Sequence, residues 1–153
     1  MNCPACSDEL TQVTVGNVTV DICKDSCGGI WFDAGELEQY EKAASSAPAE
    51  LLRPLRNPNV AVDRNKTRNC PRCASSPLTK RFFDGEYEIQ VDQCLHCGGI
   101  FLDPGELETI RHDHEDVAAR QSVIDRFMKE ANTSNPDPKH SRGLKAVLGL
   151  IFR

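Results

Sequence analysis

In "QVTVGNVTVDI", Val13, Val15, Val18, Val20 and Ile22 alternate with polar residues on either side of Gly16-Asn17. Period-two alternation broken by a two-residue Gly-Asn step predicts a β-hairpin. A second stretch, "LTKRFFDGEYEIQVDQC", has β-rich arms around Asp84-Gly85 and predicts another. Beyond each hairpin the apolar spacing lengthens. Leu37, Tyr40 and Ala44 predict a short helix. Leu107, Ile110, His114, Val117, Gln121, Ile124 and Met128 recur at alternating steps of three and four, predicting one long helix from Pro104 to about Ala131. That seam either packs on the rest of the chain or pairs with a second copy, with Gln121 setting register.

The two hairpin–helix stretches are copies of one unit. "CPAC" at Cys3–Cys6 is echoed by "CPRC" at Cys70–Cys73, and "CKDSC" at Cys23–Cys27 by "CLHC" at Cys94–Cys97. "CGGIWFDAGELE" then matches "CGGIFLDPGELE", so each unit is two cysteine pairs, a hairpin between them and a shared exit phrase. In that phrase Asp33 and Asp103 are read as helix N-caps, Glu36 and Glu106 as their N3 partners, and Pro104 as a first helical residue. Capping is preferred here to acid-base catalysis by Glu36 or Glu106. Gly-Gly is expected to bring backbone N–H groups to the thiolates or to adopt positive φ. Ile30, Trp31, Phe32 and their counterparts Ile100, Phe101, Leu102 are expected to close the small core, the rival being an exposed aromatic anchor.

Units of this size bury too little apolar surface to fold without a staple. Each contains four cysteines in C-x2-C or C-x3-C pairs, separated by 16 residues in the first unit and 20 in the second. This is metal-chelating spacing. The opening "MNCPACSDEL" has neither a basic nor an apolar signal region, so a cytosolic location and reduced thiols are expected rather than disulfides. The fold class expected is a small metal-stabilised α+β protein: two ribbons, each a β-hairpin between cysteine knuckles and each followed by an α-helix. Residues 1–44 form ribbon 1 and its short helix, 45–67 a flexible linker with one helical turn near Leu51–Leu55, 68–132 ribbon 2 and its long helix, and 133–153 a second linker and tail. Leu144, Val147, Leu148 and Ile151 make that tail amphipathic. It is too short to span a bilayer, and is suited to a partner, to its own chain or to peripheral membrane contact.

Charge separates the candidate partners. Residues 1–50 carry nine acids against Lys24 and Lys42, a net of −7, whereas 51–69 carry Arg53, Arg56, Arg64, Lys66 and Arg68 against Asp63, a net of +4. Acidic ribbons favour a protein partner. A nucleic acid would use the basic linker, the tail with Lys139, Arg142, Lys145 and Arg153, and Lys80, Arg81, Phe82 and Phe83 of the second hairpin. A homo-oligomer through helix 104–131 is the further alternative. No nucleophile–base set, phosphate-cradling glycine loop or HExxH is present. His112 and His114 stand two apart, which on a helix points them away from each other.

"CPAC…CKDSCGGIWFDAGELE" and "CPRC…CLHCGGIFLDPGELE" resemble the bacterial and archaeal zinc-ribbon family named for the ribbon of transcription factor IIB. The resemblance covers residues 1–41 and 68–111. It implies one structural Zn²⁺ per ribbon, held by Cys3, Cys6, Cys23 and Cys27 and by Cys70, Cys73, Cys94 and Cys97, and says little about function. The extra residue in Cys23–Cys27 departs from the pattern and is expected to loosen that knuckle. The reading overall is a non-enzymatic adaptor, with a nucleic-acid binder as the alternative and a rubredoxin-like iron electron carrier as the minor one.

Overall fold

The computed structural model describes residues 1–45, 56–84 and 89–133. Ribbon 1 contributes β1 (Thr11–Val15), β2 (Val18–Ile22), β3 (Ile30–Phe32) and α1 (Glu36–Ala44). Ribbon 2 contributes β4 (Leu78–Asp84), β5 (Ile89–Cys94), β6 (Ile100–Leu102), α2 (Glu106–Asp113) and α3 (Val117–Thr133). The hairpins form as the alternation predicts: β1 pairs with β2 from Thr11↔Ile22 to Val15↔Val18, and β4 with β5 from Leu78↔Cys94 to Asp84↔Ile89. Asp84 ends β4, whereas Gly85 and the rest of that turn, Leu51–Leu55 and the tail lie outside the described residues.

The ribbons do not stand apart. β3 pairs antiparallel with β6, giving one six-stranded sheet in the order β1-β2-β3-β6-β5-β4. Its register is Ile30↔Leu102, Trp31↔Phe101 and Phe32↔Ile100, so equivalent positions of the repeat meet around a pseudo-twofold at Trp31 and Phe101. The second glycine of each Gly-Gly makes room for this meeting. A Cβ on Gly29 would lie 2.4 Å from Phe101 Cζ, and one on Gly99 would lie 2.1 Å from Trp31 Cζ2. Each ribbon's glycine thus seats the other ribbon's aromatic ring.

Pleating sends alternate residues to opposite faces. Ile30, Phe32, Ile100 and Leu102 face a core that also holds Leu37 and Tyr40 of α1, Leu107 and Ile110 of α2, and Ile124, Phe127 and Met128 of α3. Trp31 and Phe101, each 0% exposed, face the other way, into a cluster with five buried cysteines, against which the other three pack. Val60 and Val62 pack against that cluster. The described part of the 45–67 segment is therefore held across the cysteine face. Asn57 donates its N–H to Ser26 O at 2.8 Å, and Arg64 Nη2 donates to Pro104 O at 2.7 Å.

Two expectations about the helices need correction. The helix from Pro104 to Ala131 is broken in two. His114 leaves helical geometry at φ −124°, ψ 71°, and Asp116 caps a new helix by accepting the Ala119 N–H at 2.7 Å. The apolar period runs through the break because both helices pack on one core, while the Asp116 cap overrides its continuity. Phe127 joins the seam, Val117 is 49% exposed, and Gln121 bonds Asp125 on its own helix. The capping expectation also changes. Glu36 and Glu106 do accept the N–H of Asp33 and Asp103, both at 2.8 Å, but neither aspartate side chain caps its helix. Each helix instead starts after a turn closed by Glu36 N–H to Asp33 O or Glu106 N–H to Asp103 O. Gly35 at φ 84°, ψ −6° and Gly105 at φ 89°, ψ −13° occupy the left-handed third position of a type II turn. Pro104 is the second residue of that turn rather than the first of the helix.

Candidate metal centres

Each cysteine quartet is assembled from two knuckles that a hairpin brings side by side. In ribbon 1 the first knuckle closes through Ser7 N–H to Cys3 O at 2.9 Å, and in ribbon 2 through Ala74 N–H to Cys70 O at 2.8 Å. The second knuckles close through Gly28 N–H to Cys23 O and Gly98 N–H to Cys94 O, both at 2.9 Å. Both roles expected of the Gly-Gly pair occur: Gly28 and Gly98 have positive φ, and Gly29 N–H reaches Cys27 Sγ at 3.4 Å.

The sulfurs converge. In each quartet, Cys3, Cys6, Cys23, Cys27 and Cys70, Cys73, Cys94, Cys97, the Sγ atoms all lie within 4.8 Å of one another. Cys3–Cys27 and Cys70–Cys97 are 3.6 Å apart, Cys6–Cys23 3.4 Å and Cys73–Cys94 4.0 Å. These separations are far beyond a disulfide bond of about 2.05 Å. They bracket the roughly 3.8 Å edge of a tetrahedron with Zn–S bonds of about 2.3 Å. The donor chemistry agrees. Burial pushes Cys23 up to about 12 and Cys73 up to about 11. A neighbouring thiol and burial likewise raise Cys27 and Cys97. Sulfurs this crowded ionise together only around a cation, and two zinc ions per chain, one per quartet, supply it. Four protein ligands complete a tetrahedron and leave no position for water or substrate. The ion then holds the two knuckles together.

The extra residue of "CKDSC" does not merely lengthen the second knuckle of ribbon 1. Asp25 adopts φ 59°, and Ser26, 8% exposed, sits 3.6 Å from Cys6 Sγ and donates its hydroxyl to Asp8. Ribbon 2 has Leu95-His96 at this place and no counterpart of Ser26.

Each ribbon carries an arginine–aspartate group, buried in ribbon 2 and more open in ribbon 1. Arg68, with a side chain 1% exposed, donates to Asp92 at 2.8 Å, to Asp103 at 2.9–3.0 Å and to Asp63 O at 2.9 Å, and lies 5.5 Å from the Phe101 ring centroid. In ribbon 1 the equivalent carboxylates are Asp21 and Asp33, and Arg72 arrives from ribbon 2 to meet them. It donates to both oxygens of Asp33 and lies 4.0 Å from Asp21, while Trp31 Nε1 donates to Asp33 at 2.9 Å. The recurrence of an aspartate two residues before the third cysteine and six after the fourth was a signal of this network, and sequence reasoning passed over it.

A cavity of about 360 Å³ beside ribbon 2 is lined by Arg64, Lys80, Gln90, Asp103, Glu106 and Thr109 among others. Burial there pushes Glu106 up to about 7. His112 is 83% exposed beside Asp113, and His114 pairs with Asp84 at 3.0 Å. Among the described residues neither histidine joins a group of potential metal ligands. No helix among them is long and apolar enough to cross a membrane.

No curated protein and no solved structure matches the chain. A family model described as "Transcription factor zinc-finger", of the transcription factor IIB zinc-ribbon type, matches twice, over residues 2–43 and 69–112. The paired thiolate quartets, the shared exit turn and this double match covering more than half the chain place the protein in the transcription factor zinc-finger family, as a tandem zinc ribbon.

Proposed function

We propose that the protein is a non-enzymatic, cytosolic adaptor whose zinc-held body captures another protein. The observation that carries this is where the body's cations point. Arg68, Arg72, Lys80, Arg111 and Arg120 are each paired with carboxylates of their own chain. A surface that grips phosphates aims its cations outward. Of the basic-aromatic quartet on the second hairpin, Lys80 bonds Asp92 at 3.0 Å and Phe83 is buried against Phe127, with ring centroids 5.0 Å apart. The seam of the former 104–131 helix lies largely in the chain's own core, with Leu107, Ile110, Ile124 and Met128 buried there, so it lends little to a homo-oligomer. Closed four-sulfur centres support a structural rather than a Lewis-acid role.

Phe82, 60% exposed beside Arg81, favours the nucleic-acid reading. In-cell crosslinking with mass spectrometry on the full chain, alongside oligonucleotide titration at two salt concentrations, separates the two. The adaptor reading expects a reproducible protein partner and oligonucleotide binding that collapses as salt rises, with a log–log slope of about −0.9 per phosphate on duplex DNA. Tight, salt-resistant oligonucleotide binding that is lost in an Arg81→Ala/Phe82→Ala variant would overturn it. A red chromophore in protein purified without added metal would revive the iron electron-carrier alternative.

A further inference from the structure

The two zinc centres share a ligand set but not its surroundings. In ribbon 1, Cys3, Cys23 and Cys27 are buried and Cys6 is the half-exposed ligand. In ribbon 2, both Cys73 and Cys97 are half-exposed, with Cys70 and Cys94 buried. The half-exposed sulfur of ribbon 1 is also the one that Ser26 contacts at 3.6 Å, with Ser26 anchored on the Asp8 carboxylate. Asp8 thereby holds Ser26 against Cys6. Ribbon 2 has the shorter Leu95-His96 knuckle here, with no residue at the position of Ser26. Zinc-bound cysteines are thiolates whatever the pH near neutrality, so access and local charge decide which of them reacts.

We infer that ribbon 2 is the thiol-reactive centre of the protein, with Cys73 and Cys97 its modification sites for peroxides, while ribbon 1 is the protected centre. The chemistry balances with hydrogen peroxide as the oxidant. The Cys97 thiolate attacks one peroxide oxygen, the O–O bond breaks, and the product is a sulfenic acid and hydroxide, which takes a proton to become water. Cys70 Sγ stands 3.6 Å from Cys97 Sγ. Its thiolate attacks the sulfenic sulfur, the S–S bond forms, and the departing hydroxide becomes a second water. Two thiolates have lost two electrons, the peroxide has gained them, and Zn²⁺ loses two of its four ligands and leaves. Cys73, with Cys94 at 4.0 Å, has the same route. Ser26 keeps Cys6 from taking the first step.

The test treats the zinc-loaded full chain with less than one equivalent of hydrogen peroxide and maps oxidised cysteines by peptide mass spectrometry at low conversion. Early mapping matters because zinc loss from one ribbon destabilises the sheet they share. The expected result is oxidation at Cys73 and Cys97 severalfold ahead of any cysteine of ribbon 1. A Ser26→Ala variant, first shown to hold two zinc ions per chain, should bring Cys6 oxidation up towards the rate of ribbon 2. Equal oxidation of the two quartets in the wild-type chain, or earlier oxidation of Cys6, overturns the inference. A Ser26→Ala protein whose Cys6 stays as slow as in the wild type overturns the role assigned to Ser26.

Discussion

Glu106 accepts the Asp103 N–H at 2.8 Å while its side chain is only 13% exposed, and burial outweighs that bond in raising its pKa to about 7. The unfolded value is near 4.5. A carboxyl raised in the folded state binds more protons folded than unfolded between these two values. Stability therefore falls as pH rises through that window. Glu106→Gln should remove this loss, making the variant more stable than wild type by on the order of 3 kcal/mol at about pH 8 and nearly equal at about pH 5. Chemical denaturation at the two pH values checks it. Asp103→Ala, which would have cost about 1 kcal/mol as a cap, should cost about 3 kcal/mol, because it strips one carboxylate from the buried Arg68 guanidinium. Zinc content should stay at two per chain.

Among elements, the β3–β6 junction and the helix contacts behind it decide how the ribbons sit together. Gly99→Ala drives a methyl group into Trp31 and should lower stability by about 1–3 kcal/mol, with loss of near-ultraviolet Trp31 signal before metal release. Behind the sheet, Glu41 of α1 is clamped by Arg111 of α2 at 2.6 Å and Arg120 of α3 at 2.9 Å. Glu41 and Arg111 are equivalent positions of the repeat, differing in sign, so the pseudo-twofold has become an ion pair. The Glu41 side chain is 3% exposed. Glu41→Ala should cost about 3–5 kcal/mol by leaving two partly buried guanidinium groups unmatched. An Arg111→Ala/Glu41→Ala cycle should recover part of that loss, which urea titration measures.

At the scale of the whole molecule, one sheet joins both metal centres. Structural zinc contributes roughly 10–16 kcal/mol of apparent binding free energy in small finger peptides. Chelation should therefore unfold both ribbons, and the shared sheet should make this a single transition by circular dichroism. Purified protein should release two zinc ions per chain, and two separated transitions would contradict the coupling.

Much of this protein was legible from residue spacing alone. Hairpins follow from period-two alternation around a turn, and quartets of sulfur from paired cysteines at chelating distance, because both are local geometry. The repeat announced two equivalent units, and helix periodicity marked which faces of α1, α2 and α3 are apolar. What spacing cannot carry is contact between units. That β3 would pair with β6, that Gly29 and Gly99 would seat Phe101 and Trp31, and that Arg72 would reach Asp33 all depend on how two copies face each other. The aspartates of the exit phrase illustrate the limit. As local chemistry Asp33 and Asp103 suit an N-cap, yet a guanidinium from elsewhere in the fold outcompetes a backbone N–H for each carboxylate, since a charged partner out of water binds it more strongly. Ser26 shows the same thing at a metal site: its extra position in the chain was visible, but its contact with Cys6 arose only when Asp8 folded beside it.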